Sequence, residues 1–110
     1  MVIYFNSFKA RKQLTEKYEI ITCRKQRKTF GITSAIYRRS DGNIFTIGKV
    51  NVVFLDESIS NQRNHDEMFN KYIHLSGFDT VKEWKEEIKK LNNNRWMPIS
   101  LIFLKVTLLE

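Results

Sequence analysis

The tetrapeptide Ser40-Asp41-Gly42-Asn43 constrains the fold more than any other part of this chain, because it separates two runs of strand-forming residues by little more than a turn. Ile32 to Tyr37 precede it and Ile44 to Leu55 follow. An Asp-Gly pair between such runs is a strong short-range signal for an antiparallel hairpin. The second run alternates from Val50 to Phe54, as a half-buried strand does, and Gly48 lies inside it. An interior glycine marks a bulge or a sharp bend. A bent hairpin favours a curled sheet, and the sequence predicts a small mixed β-barrel rather than a flat sheet.

The remaining elements read as α+β. Residues 2–5 form a short strand, and Asn6 or Ser7 caps a brief helix through Leu14, with Phe8 and Leu14 turned inward and Lys9, Arg11 and Lys12 on its polar side. Residues 18–24 are a strand in which Tyr18, Ile20, Thr22 and Arg24 share one face and Glu19, Ile21 and Cys23 the other. Asn64-His65-Asp66-Glu67 starts a second helix, with Met68, Tyr72 and Leu75 as its stripe and Gly77 as its left-handed stop. Thr80 and Glu83 form a second capping box, after which Val81, Trp84, Ile88 and Leu91 recur at helical spacing. Asn92 to Asn94 end that helix. Pro98 precedes an apolar run, Ile99 to Leu109, of strand length and β-branched character. Five or six strands with two or three helices, in one domain over residues 1–110, account for the chain.

Charge is distributed unevenly. The net charge is +7, yet residues 1–39 carry ten Lys/Arg against Glu16 and Glu19, and residues 40–110 are close to neutral. A one-sided excess of this kind predicts a polyanionic partner, nucleic acid ahead of an anionic membrane. No apolar run approaches the ~18 residues of a membrane span, and the first residues lack the pattern of a secretory signal, so a cytoplasmic location is expected. The single cysteine, Cys23, forms no internal disulfide, and with His65 and His74 alone it makes no zinc site. Neither a metal nor a cofactor is expected.

The densest run of cations follows directly on the strand at 18–24: Arg24, Lys25, Arg27 and Lys28. Thr22 and Arg24 point the same way, and a hydroxyl beside a guanidinium at a strand end suits a phosphate or the polar edge of a nucleotide. At the end of the first hairpin strand, Tyr37 precedes Arg38 and Arg39, a ring for stacking on a base beside two charges for phosphates. Trp84 and the phenylalanines, Phe8, Phe45 and Phe54 among them, read as core. His65 reads as part of an exposed helix start.

The order of elements, together with Ile21-Thr22-Cys23-Arg24, the hairpin after Gly31 and Leu75-Ser76-Gly77-Phe78-Asp79-Thr80, resembles the ASCH domain, a branch of the PUA-like superfamily of small β-barrels associated with RNA. The family's site motif runs glycine, lysine, Glu or Thr, then arginine. Thr22 and Arg24 match its last two positions, whereas Glu19 stands at the lysine's and Lys17 at the glycine's. Some relatives hydrolyse N4-acetylcytidine with a Lys/Thr/Glu set, and His74 stands where their acidic partner is expected. The resemblance thus implies Thr22, Arg24 and His74 as the residues of any catalysis, and the loss of the lysine weighs against it. A metal-free amide hydrolase needs a nucleophile, a base and oxyanion donors, and here the base is missing. The sequence therefore predicts a non-catalytic nucleic-acid-binding module, RNA favoured over DNA, using Thr22, Arg24, Lys25, Arg27, Lys28, Tyr37, Arg38 and Arg39. The alternatives are a small amidohydrolase on N4-acetylcytidine-like nucleosides, or an interaction protein with an acidic partner.

Overall fold

The computed structural model describes residues 2–24, 30–59, 62–91 and 100–109. Strands β1 (Val2–Tyr4), β2 (Glu19–Arg24), β3 (Gly31–Arg38), β4 (Ile44–Ile59) and β5 (Ser100–Leu108) make one mixed sheet in the order β1-β3-β4-β5-β2. Helices α1 (Phe8–Lys17), α2 (Gln62–Tyr72) and α3 (Val81–Leu91) accompany it, with a 3-10 turn at Ile73–Leu75 after α2. The Cα radius of gyration, 13.3 Å, matches the ~13 Å of a compact fold of this length. Among the described residues no helix is long and apolar enough to cross a membrane.

The β3–β4 hairpin forms as its turn residues require. The Arg39 N–H donates to the Asn43 carbonyl at 2.8 Å, and the Gly42 N–H to the Arg39 carbonyl at 2.9 Å. Two register shifts then bend the pairs made by β4. In the pairing with β3, Ala35 faces Gly48 while Ile36 faces Thr46, which puts the expected bulge beside Gly48. In the pairing with β5, Phe54 faces Leu104 while Asp56 faces Phe103. This second bulge, at Leu55, carries the strand on to Ile59, where the sequence reads as a polar turn. A bulge reverses the alternation, so Asp56 and Ser58 turn toward α2. There Asp56 accepts from the Tyr72 hydroxyl at 3.2 Å, and Ser58 Oγ lies 2.5 Å from His65 Nδ1. Both Ser58 and His65 are buried. His65 is therefore an interface residue, in contrast to its expected exposure.

The sheet separates two cores. One face packs Ile3, Phe5, Ile20, Ala35, Val50, Val52, Leu104 and Val106 against Ala10 and Leu14 of α1. The other packs Ile21, Cys23, Leu101 and Phe103 against Phe69 of α2 and Trp84 of α3. Trp84, 3% exposed, meets Phe69 edge-on at 4.8 Å, so it is core as expected. Phe8, by contrast, is 69% exposed and Phe45 and Phe54 lie at the surface. In α1 it is Ala10 and Leu14, four apart, that face inward, and Phe8 lies off that stripe.

The closed barrel expected from the hairpin is not formed by the strand ladder, which is open between β1 and β2. Only three residues of β1 pair, in parallel with Ser34 to Ile36 of β3. Where β1 and β2 approach, a side chain spans the opening: an Arg24 Nη donates to the Tyr4 carbonyl at 2.6 Å.

Candidate nucleic-acid interface

The exit of β1, Tyr4-Phe5-Asn6, is where three arginines from different elements meet. Arg24 of β2 takes the Tyr4 carbonyl and lies over the Phe5 ring, 5.2 Å from its centroid. Arg11 of α1 donates to the Phe5 carbonyl at 3.0 Å and lies 4.3 Å from the centre of Tyr37. Arg38 of β3 gives its backbone N–H to Asn6 Oδ1 at 2.9 Å and lies 6.0 Å from the Tyr4 ring. Arg39 continues the row over Phe45 at 5.2 Å, with Asp41 3.9 Å from its Nε. Each of the four arginines whose side chains are described thus lies over an aromatic ring. Guanidinium groups stack this way because they are planar and weakly hydrated.

Several lysines are paired with carboxylates, and two of them, Lys71 and Lys85, also lie over the rings of Tyr72 and Phe69, at 5.3 and 5.7 Å. Lys9 pairs with Glu83 and Asp79, Lys85 with Asp66, Lys71 with Asp56 and Lys105 with Glu19. The hydrogen bond to Glu83, with the charges of Glu83 and Asp79, raises the Lys9 pKa above its ordinary value. These pairs tie α1 to α3, α3 to α2, α2 to β4 and β5 to β2.

Thr22 and Arg24 line one narrow crevice at the end of β2, together with Cys23 between them and with Ser7, Asn6, Phe78, Trp84, Glu87 and Ile88. Its free volume is about 40 Å³, room for a water or two and far below the roughly 300–1,000 Å³ of small-molecule sites. Among the described residues the space at the end of β2 is therefore a crevice smaller than a nucleotide, with Phe78, Trp84 and Ile88 on its α3 side. Cys23, at the same strand end, is a buried thiol whose pKa burial pushes up to about 12, against the opposing pull of Arg24. It is inert as a nucleophile at neutral pH.

His74 is exposed on the 3-10 turn. Its neighbours Ile73 and Leu75 pack with Ile21 and Cys23, the face of β2 opposite Thr22. The segment after α2 does lie over β2, and none of Ile73, His74 and Leu75 lines the crevice at Thr22. Glu19 also faces away from Thr22, 3.3 Å from Lys105. Tyr37 is already engaged, by Arg11 and by Phe45 in a stack at 5.4 Å. Lys25, Arg27 and Lys28 lie outside the described residues. Among the described residues no His, Cys, Asp and Glu cluster suits a metal ion.

Two contributors escape the sequence reading. Glu87 brings a carboxylate to the Thr22 crevice, and the spacing signals it, since Glu87 lies three residues from Trp84 on the same flank of α3. Arg11 reaches the Phe5 carbonyl and Tyr37 from a helix face that reads either as an extension of the basic surface or as a solvated face, with no sign of those two partners. Comparison with protein-family models, with curated proteins and with solved structures finds no match.

Proposed function

We propose that this protein binds nucleic acid, RNA ahead of DNA, through the basic surface around the exit of β1, as a small PUA-like module related to the ASCH domains. The observation that carries the reading is the convergence of Arg11, Arg24 and Arg38 on Tyr4-Phe5-Asn6, with Arg39 on the adjoining ring. Arg11 and Arg38 meet rings and, for Arg11, a carbonyl, which orient a guanidinium without cancelling its charge. The sequence adds Lys25, Arg27 and Lys28 directly after Arg24. Arg38 and Arg39, exposed on the hairpin, are the phosphate contacts. Arg24, half-buried and bonded across the sheet opening, holds the surface in shape.

Binding of this kind is driven by counterion release. With about five phosphate contacts to a single strand, log affinity falls with log salt at a slope near −3.5. Fluorescence anisotropy with labelled RNA across a salt series measures it, and reversing Lys25, Arg27 and Lys28 to Glu abolishes binding with an unchanged circular dichroism spectrum. A salt-independent affinity, or capture of an acidic protein in place of RNA, overturns the proposal. Glu87 lines the same crevice as Thr22, but at about 40 Å³ that crevice holds no nucleoside, so hydrolysis of an acylated cytidine is not expected. Acetate release from N4-acetylcytidine that disappears in both Thr22→Ala and Glu87→Gln would establish it in place of the binding module.

A further inference from the structure

The outer side of α1 borders a groove that adjoins the surface described above and shares Arg11 with it. It runs between α1 and the β3–β4 hairpin, has a volume of about 450 Å³, and is lined by Phe8, Arg11, Lys12, Thr15, Tyr37 and Ile47, with Glu16 alongside. Phe8 is 69% exposed and is shared with a second groove on the other flank of the helix, where Lys9 and Lys17 lie. An isolated surface phenylalanine means little. This one lines the same groove as the half-buried Tyr37, which stacks on Phe45, and each of those two rings carries an arginine.

We propose that the groove between α1 and the β3–β4 hairpin is a path for single-stranded nucleic acid, with Phe8 as a base-stacking platform and Lys12 and Arg11 placed for the backbone. The inference rests on the nucleic-acid reading and deepens it by choosing unpaired strands over duplexes. Rings beside cations suit a strand whose base faces are open, because each base offers a π-face to a ring and each linkage a charge to a cation. A duplex hides those faces and offers only phosphates. Phe8 has its ring unburied, whereas Tyr37 is already held by Arg11 and Phe45, so the platform is Phe8. Glu16, two helical turns on and 4.0 Å from Lys12, disfavours a phosphate at that end. The backbone therefore crosses α1 near Lys12, within the ~12 Å between Phe8 and Glu16.

The test titrates a fluorescein-labelled single-stranded RNA dodecamer and a blunt RNA duplex of equal length against the wild type, Phe8→Ala, Phe8→Leu and Phe8→Trp. Phe8→Ala and Phe8→Leu are expected to weaken single-strand binding by about five- to 150-fold, the range for one stacked base, with the salt slope and duplex binding unchanged. Phe8→Trp retains the wild-type affinity. Phe8 is largely exposed, so all three variants keep the wild-type melting temperature. Wild-type affinity in Phe8→Leu overturns the stacking role, and equal losses on the duplex overturn the single-strand path. If the wild type binds RNA and loses it on reversal of Lys25, Arg27 and Lys28 while Phe8→Ala is silent, the groove fails and the binding function stands. If the wild type binds no RNA at all, both fail.

Discussion

Gly77 and Gly42 have the same backbone conformation, φ +89° at each, in opposite surroundings. A Cβ added at Gly42 meets nothing within 4 Å. One added at Gly77 would lie 2.7 Å from the Lys9 carbonyl oxygen and 2.9 Å from Gln13 Cβ. Replacing either by alanine incurs the left-handed conformation, roughly 1–2 kcal/mol. At Gly77 the methyl group must also push α1 away from the turn before α3, an overpacking cost of typically 1–3 kcal/mol. Gly42→Ala is therefore expected to destabilise by about 1–2 kcal/mol and Gly77→Ala by about 2–5. Asparagine separates the two causes, because it enters the left-handed region readily but still carries a Cβ. Gly42→Asn is expected to lie near the wild type, and Gly77→Asn to remain costly. Urea unfolding reads the difference as a shift of midpoint at constant slope. Equal losses at the two positions, within about 0.5 kcal/mol, would refute the claim that the turn is pressed against α1.

Trp84→Ala is expected to cost about 3–5 kcal/mol, since Trp84 is packed edge-on against Phe69 and Phe103; a loss under 1 kcal/mol by the same unfolding assay would show it dispensable. The raised pKa of Cys23 predicts an alkaline loss of stability. The folded state holds its proton more tightly than the unfolded one, so the contribution is complete below about pH 9 and lost progressively toward about pH 12, on the order of 4 kcal/mol in all. Cys23→Val should flatten that part of the pH profile, and an identical profile would count against it. Arg24→Ala, which removes the bond to the Tyr4 carbonyl, is expected to lower stability by about 1.5–3 kcal/mol, whereas Arg38→Ala should leave the unfolding midpoint unchanged. Coincident midpoints for those two variants would remove the structural role given to Arg24.

Much of the fold was legible because local chemistry and tertiary structure agree. The Asp-Gly turn, the glycine beside the bulge, the capping box at Thr80 and the stripe through Trp84 each name an element and its face. The pattern failed at Leu55, where a bulge invisible to periodicity reverses which residues face α2 and turns Asp56-Glu57-Ser58 from an apparent loop into strand. His65 was misread for the same reason, since its burial depends on Ser58 arriving opposite. The shared face of Thr22 and Arg24 follows from alternation alone. That Phe78, Trp84 and Ile88 line the α3 side of their crevice does not, because it depends on how α3 lies across the strand end. The arginines were visible as charge, and the rings beneath Arg11, Arg24 and Arg38 were not, since those pairs join residues distant in sequence.

The placement of β5 between β4 and β2 has a consequence for synthesis. Glu19 pairs with Thr107 and Arg24 with Ile102, so β2 has no hydrogen-bonding partner on that edge until the last strand has been made. At roughly 5–20 residues per second, the apolar stretch Ile20 to Cys23 waits several seconds on the nascent chain with that edge open. Such an edge is a template for pairing with another copy. Charged residues flanking an apolar strand act as gatekeepers against that association, and here Lys17 and Glu19 stand on one side and Arg24 with the cations after it on the other. The basic run beside β2 thus guards the unfinished chain against aggregation before it has any folded surface to present.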